Sequence, residues 1–477
     1  MIRAVGARAG AVLLVIVASA CTVPRKGGFD AVTKVVEQRA GHPVHWPLDA
    51  REEAVAAEEV SKLLADELSI DDALRIALAN NHELRATCEE LGIAQADQVQ
   101  AALFANPVLL ASARFPSGSG TTNTELGLAQ DFLDVLLQPS RKRLAEAEFE
   151  EAKLRVANAT LELAADTKVA YYVLQGALQT VAVLGKITDA ARVSAEFARR
   201  QREAGNLSDL GFLAEAAMYE QVKVDLAFAQ AAALADRERL TRLLGLFGKD
   251  TEWRIPDRLP ELPKQESALE HLESIAIAQR LDLAAARYEV EKLARVHSIT
   301  LRWRYVPLLE VGVDSENDVD GGRVTGPNLS IALPVFDQGQ ARVARAEALL
   351  RQSRDRLTAL AVEIRSEVRD ARNRFVLARA LAEHQRDVLI PLRERIVAES
   401  QSHYNFMLIG VYQLLQAKRD EVQAYRDYVE TVRDYWVARS ELERAVGARL
   451  ELAAAREAPA EPPPRQEEHQ HHHSMGG

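Results

Sequence analysis

Two places in this 477-residue chain carry side chains whose type and spacing could do chemistry. The first is Cys21. Arg3 and Arg8 precede an apolar run from Ala11 to Val17, which ends in Ala18-Ser19-Ala20-Cys21. A basic start, a short apolar stretch and small closing residues make a secretory signal over 1–20, too short to span a bilayer. Small residues directly before a cysteine suit cleavage there, so Cys21 is the expected site of acylation, with palmitate among the acyl groups; an ordinary signal followed by a chance cysteine is the alternative. The second place is the C-terminal run from His469 to Met475. Imidazoles and a thioether suit copper, silver and related ions, which makes His469, His471, His472, His473 and Met475 candidate metal ligands. A low-complexity tail is the competing reading.

Elsewhere the expected marks of catalysis do not occur. No phosphate-binding glycine loop, serine nucleophile elbow or zinc-binding helix motif is present. The pairs Asp71-Asp72 and Glu89-Glu90 fall on helical patterns, where solvated charge is the simpler role. The chain is therefore read as a non-enzyme without a cofactor. Cys88 lies in the helical stretch 83–91; with Cys21 acylated it has no disulfide partner and is expected to be an inert packed thiol.

Composition points to long helices. Charged residues make up 27% of the chain, aromatics only 5%, and the formal net charge is −11. No basic run dense enough to hold a phosphate backbone appears, which excludes nucleic acid as a partner. Nothing after residue 22 approaches the ~18 consecutive apolar residues of a membrane helix, so any span must use strands.

The elements that would position functional residues come twice. Residues 69–249 and 268–447 each run through a short opening helix, a second helix, two alternating segments around a turn-rich loop, and a long helical pattern broken once. Ser69 followed by Asp72 is a capping pair for the first opening. Pro107 aligns with Pro307, an offset of 307 − 107 = 200, and Gly205 aligns with Met407, an offset of 407 − 205 = 202. Such constancy marks a duplication. A lipid-anchored lead-in (21–68), a Pro-rich stretch that is a linker or a small irregular, equatorial subdomain (250–267), and a disordered tail (448–477) complete the chain.

Strands are expected at about 107–115, 123–132, 305–314 and 327–336. Leu309, Val311 and Val313 alternate with Glu310, Gly312 and Asp314, and Leu329, Ile331 and Leu333 alternate with Asn328, Ser330 and Ala332. Pro334 suits a rim position. Two soluble hairpins would be marginal in water, and four strands cannot close a barrel with a lumen. Three copies would supply twelve, with every backbone group satisfied in lipid. In the second half Leu357, Ala361, Ile364, Val368, Ala371, Phe375, Ala378 and Ala382 form a seam of alternating steps of four and three, continuing through Gln385, Leu389, Leu392 and Ile396. A continuous helix over 340–406 would run ~100 Å at ~1.5 Å per residue, with a kink expected at Pro391.

Both long patterns reverse at a break. Gly205, Asn206, Leu207, Ser208 and Leu210 mark the first; Met407, Leu408, Ile409, Gly410 and Val411 mark the second. Aliphatic groups at solvent-facing tips suggest a docking surface, or contacts between neighbouring hairpins of one tube.

With these elements in place the chain resembles the TolC-like outer-membrane efflux family, in its lipoprotein branch. The similarity covers Ser69 to Gly447. It is carried by the duplicated opening (68–85 and 272–290), by the strand-to-helix junctions Gln130-Asp-Phe-Leu-Asp134 and Leu333-Pro-Val-Phe-Asp-Gln-Gly339, and by Leu414-Leu-Gln-Ala417 after the second tip. The resemblance implies a mainly α fold with a membrane β-barrel: a homotrimeric α-barrel/β-barrel tube in the outer membrane of a Gram-negative bacterium, extending into the periplasm. It implies a passive exit duct for solutes in a tripartite efflux system, for heavy-metal ions such as copper or silver or else for drugs. The implied partners are outer-membrane lipid, a periplasmic adaptor protein and an inner-membrane pump, which meet the hairpin tips; the inner hairpin would close as an iris. One departure stands out. Where the family often has acidic residues at the gate, this chain has Gln413 and Gln416, with Asp420 and Glu421 as possible substitutes. A periplasmic coiled-coil scaffold, lipid-anchored and without a pore, is the alternative reading.

Overall fold

A computed structural model describes residues 23–450, except 116, 118–121, 267–268 and 318–321. The lead-in is more ordered than its weak pattern suggests. It forms α1 (Phe29–Ala40) and α2 (Ala50–Leu63). Asp49 caps α2 by accepting from the amides of Arg51 and Glu52. Phe29, Val32, Val36 and Trp46 are buried against Leu84, Cys88, Leu91, Phe149 and Val156, so this segment has a core of its own.

The first repeat then runs α3 (Ile70–Asn80), α4 (His82–Ala102), β1 (Val108–Arg114), β2 (Asn123–Asp131), α5 (Phe132–Glu203) and α6 (Asp209–Leu243). The expected cap is present: Ser69 and Asp72 bond each other's backbone amides in a capping box. The second repeat runs α7 (Leu272–Gln279), α8 (Leu281–Arg302), β3 (Leu309–Asn317), β4 (Arg323–Ile331), α9 (Gln340–His384), α10 (Ile390–Asn405) and α11 (Val411–Val446). At 72 residues α5 is roughly 110 Å long. It packs on α4 along its upper part and on α6 along its lower part, and it also lies against α8 and α11 of the second repeat.

Three sequence expectations need correction. The long helix of the second repeat is not continuous, because a single π-helical turn, Gln385–Leu389, separates α9 from α10. Pro391 cannot donate to the carbonyl one turn back, and the backbone accommodates this by widening its register just before it. The extra residue rotates everything downstream. Ile364, Val368, Ala371, Phe375, Ala378 and Ala382 are buried as the seam requires, but Leu392 and Ile396 are 49% and 45% exposed while Ile390 is covered. The strands, second, are displaced: β3 continues to Asn317 and β4 begins at Arg323, so Pro327 lies inside β4 and Pro334 beyond it. Asp314 and Glu316 fall on one face and Ser315, Asn317, Arg323 and Thr325 on the other, so the apolar alternation stops while backbone pairing continues. Third, the linker alternative for the Pro-rich stretch gives way to packed structure. Trp253, Ile255 and Leu262 are buried in the main core, and Leu68 N–H donates to Arg254 C=O at 2.8 Å. The chain also stays packed through Leu450, which is 1% exposed.

That main core sits where both repeats meet. Tyr172 stacks on Trp436 with centroids 5.2 Å apart, and Phe375 and Tyr435 pack at 5.4 Å. Three polar groups of this aromatic core are answered: Tyr171 Oη donates to Leu68 C=O, Tyr435 Oη to the Glu266 carboxylate, and Trp436 Nε1 to Pro260 C=O. Bulky rings with satisfied hydroxyls make a stiff waist from which the strands rise on one side and the hairpins descend on the other.

Candidate functional site: two hairpin tips and a two-faced sheet

The tips close with the same backbone device. Gly205 has φ +76° and its aligned partner Met407 has φ +59°, both left-handed. Asn206 N–H donates to Gln201 C=O at 2.8 Å, and Leu408 N–H to His403 C=O at 2.9 Å. Ser208 caps α6 by accepting from Gly211 N–H. Gln413 caps α11, its Oε1 accepting from Gly410 N–H at 2.8 Å. At the first tip Arg202 bonds Asp209 at 2.6 Å and lies over the Phe212 ring. The apolar groups at the ends are bare: Leu210 is 78%, Met407 92%, Leu408 70% and Phe406 75% exposed. Leu207, Ile409 and Val411 are half-buried in their own turns. Methionine in a left-handed backbone costs roughly 1–2 kcal/mol, which glycine at the aligned position avoids.

Just above the tips the hairpins are tied together by residues that the sequence pattern did not single out. Glu215 of α6, 5% exposed, accepts from Ser194 Oγ of α5 at 2.6 Å and from Arg419 Nη2 of α11 at 2.9 and 3.0 Å. Helical spacing places Glu215 on the same face as Phe212, Met218 and Val222, where a carboxylate looks out of place, and only the crossing of three helices supplies the partners that hold it there. Beside this tie a groove of about 600 Å³ opens between α5, α6 and α11, lined by Val183, Ile187, Met218, Leu415 and Val429 among others. Within the second hairpin Arg393 donates to Asp420 at 3.0 Å, and Gln416 to the other oxygen of Asp420 at 2.8 Å. Lys418 pairs with Glu421. The gate candidates are thus spread along just over two turns of α11, where Gln413 is engaged as a cap and both carboxylates have cationic partners. Tyr425 Oη bonds Glu394 across the same hairpin, and that bond pushes its phenol up to about 12.

At the other end the four strands form one antiparallel sheet in the order β1-β2-β3-β4. Register sorts its faces. Leu109, Ala111, Leu126, Leu128, Val311, Val313, Leu329 and Ile331 share one face; Ser112, Glu125, Asp131, Glu310, Asp314, Glu316, Asn328 and Ser330 share the other. β1 departs from the rule at its base, where Val108 and Leu110 fall on the polar side. The apolar side is open, with Leu109, Leu126, Val313 and Leu329 all more than half exposed, whereas Gly127 and Gly312 on the polar side are buried. At Gly312 a Cβ would meet Asn328 Oδ1 at 2.4 Å and Leu128 C=O at 2.7 Å. Close approach on one side and openness on the other belong to a sheet that curls with its polar face inward. Where strands join helices, Phe104, Phe132, Tyr305 and Phe336 are exposed, Phe336 to 91%, as in the aromatic girdle of a membrane barrel. Among the described residues the outer edges of β1 and β4 are unpaired.

No helix among the described residues is long and apolar enough to cross a membrane. Nor do three or more His, Cys, Asp or Glu side chains among them gather to hold a metal. Cys21 and the ligand candidates His469, His471, His472, His473 and Met475 lie outside the described residues.

No family model matches the chain. The cobalt-zinc-cadmium resistance protein CzcC of Cupriavidus metallidurans is 23% identical over 392 residues, covering 80% of this chain and 91% of its own. Among solved structures, CusC, described in terms of folding and transmembrane channel formation, superposes with a TM-score of 0.65 at 17% identity over 80% of this chain and 92% of its own. The outer membrane protein VceC of Vibrio cholerae superposes at 0.67, again at 17% identity, over 80% of this chain and 96% of its own.

Proposed function

For a chain with the fold of the TolC-like outer-membrane channels, we propose the role of a passive exit duct in a tripartite efflux system, working as a homotrimer. One observation carries the reading: a four-stranded sheet, apolar outside and polar inside, that ends in two unpaired edges above helices roughly 100 Å long. Unpaired edges are untenable in lipid. Pairing β4 of one copy with β1 of the next closes the wall, and the same rotation sets the hairpins side by side as a tube. The helices reach into the periplasm, and Cys21 supplies a lipid anchor at the outer membrane.

The exposed Leu210, Met407 and Leu408 and the groove beside Glu215 fit a helical periplasmic adaptor, which would connect the duct to an inner-membrane pump. Energy comes from that pump. The tie of Ser194, Glu215 and Arg419 holds the two hairpins of a protomer together near the periplasmic end, the place where an iris would open. The name of the curated relative favours divalent transition-metal ions as cargo over copper or silver alone. The test is a planar bilayer carrying the purified trimer, paired with growth of a deletion strain on cobalt, zinc and cadmium and on a panel of drugs. A closed wall predicts unitary conductance, and metal sensitivity that the plasmid-borne chain repairs. A protein that stays monomeric in detergent and never conducts, even with Arg419→Ala releasing the tie, would sink the proposal. A scaffold without a pore is separated by Cys21→Ser: a barrel stays in the outer membrane, a scaffold leaves it.

A further inference from the structure

The inward face of the sheet is acidic. Glu125, Asp131, Glu310, Asp314 and Glu316 lie on it, against Arg114 as the one cation of that face among the described strand residues. Two of these groups face each other across β2 and β3 near the loop end: Glu125 is the register partner of Glu316. Like charges directly opposite are destabilising unless something answers them. Glu125 accepts from Ser112 Oγ at 3.2 Å and from Arg114 Nη2 at 3.4 Å, a long and weak contact. Glu316 receives Asn123 Nδ2 at 2.6 Å, its one side-chain donor among the described residues.

Asn123 is the unexplained member. It is 8% exposed, and its Oδ1 is buried with no donor, although the same amide's nitrogen holds Glu316. A buried carbonyl oxygen without a donor, next to two carboxylates with a deficit of positive charge, is a set of oxygen ligands that lacks its cation. We infer that Asn123, Glu125 and Glu316 form a transient divalent-cation site near the outer mouth of the barrel, repeated in each protomer. Two carboxylates and one amide oxygen make a weak site, and a duct needs weakness: an ion must enter and also leave. The remaining carboxylates at Asp131, Glu310 and Asp314 extend the negative wall toward the waist. Cation preference in this protein therefore resides in the barrel, while the hairpin tip, with Gln413, Gln416 and a paired Asp420, contributes none.

The inference rests on the duct reading, and the experiment separates the two. Full-length trimer in a planar bilayer is placed in a tenfold KCl gradient, and reversal potential is read with and without millimolar Co²⁺ on the extracellular side. The expected wild-type result is a cation-selective potential and partial block of the potassium current by Co²⁺. E125Q/E316Q, on a trimer that still conducts, is expected to raise the half-blocking Co²⁺ concentration roughly tenfold and to reduce the selectivity; N123A is expected to weaken block alone. D131N/E310Q alters the facing pair at the opposite end of the sheet, and should shift the reversal potential but spare the block. A conducting wild type without cation preference, an E125Q/E316Q trimer with unchanged block, or equal loss of block in D131N/E310Q overturns the site and leaves the duct standing. A wild-type trimer that carries no current removes both.

Discussion

Near the tips, Glu215 ties the two hairpins of a protomer together. It is nearly covered, carries a formal charge and bonds one hydroxyl and one guanidinium drawn from two other helices. Removing one partner of a buried pair costs more than removing both, because the survivor keeps its desolvation penalty. Arg419→Ala is therefore expected to cost about 2 kcal/mol in thermal unfolding, below the full penalty because Arg419 is partly exposed, and to raise single-channel conductance. Glu215→Gln with Arg419→Gln should cost less than Arg419→Ala alone; a double-mutant cycle without coupling would show the tie to be idle. Cys88 presents the opposite case. It has no exposed surface, and burial first, then Glu89, pushes its thiol up to about 12. The native protein should resist alkylation at pH 8, and labelling should appear only on unfolding.

At the scale of elements, the second hairpin is shaped by two local events. Pro391 opens a π turn and rotates the seam; Gly339 starts α9 with φ +75°. A Cβ on Gly339 would meet Arg304 C=O at 2.9 Å, so Gly339→Val combines a forbidden backbone with a backbone clash. A loss of about 1–3 kcal/mol is expected, read as a lower unfolding midpoint in detergent. Between α10 and α11, Tyr425 donates to Glu394. The folded state favours the protonated phenol, raising its pKa from 10.0 to about 12. That contribution is fully present below pH 10 and disappears as pH rises through about 12. Phenolate absorbance of wild type minus Tyr425→Phe should show its step there; a step near 10 would mean that the clamp does not hold.

For the whole molecule, the sheet predicts which substitutions a membrane would reject. Val313→Lys places an ammonium on the lipid side and should cost about 2–4 kcal/mol in refolding into vesicles. Ser330→Lys, on the inward face, should refold normally while reducing cation preference. Equal penalties at both positions would mean that the faces have been assigned the wrong way round.

How much of this the sequence determined depends on the range of each interaction. Short-range signals were legible: the Ser69–Asp72 capping box, the aligned breaks at Gly205 and Met407, and the alternation of Leu309, Val311 and Val313 with Glu310 and Asp314 all follow from spacing within a few residues. So did the seam up to Ala382, which then misled, because one extra residue in a π turn is invisible to a periodicity that assumes constant pitch. Polar strand ends read as loop for a related reason. Backbone pairing with a distant strand, and an inward face that tolerates carboxylates, kept Asp314–Asn317 extended. Tertiary structure alone decided that Glu215 is buried, that Glu125 faces Glu316, and that Asn123 Oδ1 lacks a donor. Each of these depends on segments far apart in the chain, with Glu125 and Glu316 separated by 316 − 125 = 191 residues and Glu215 and Arg419 by 204, and nothing in local sequence encodes which side chain will meet which across such a gap.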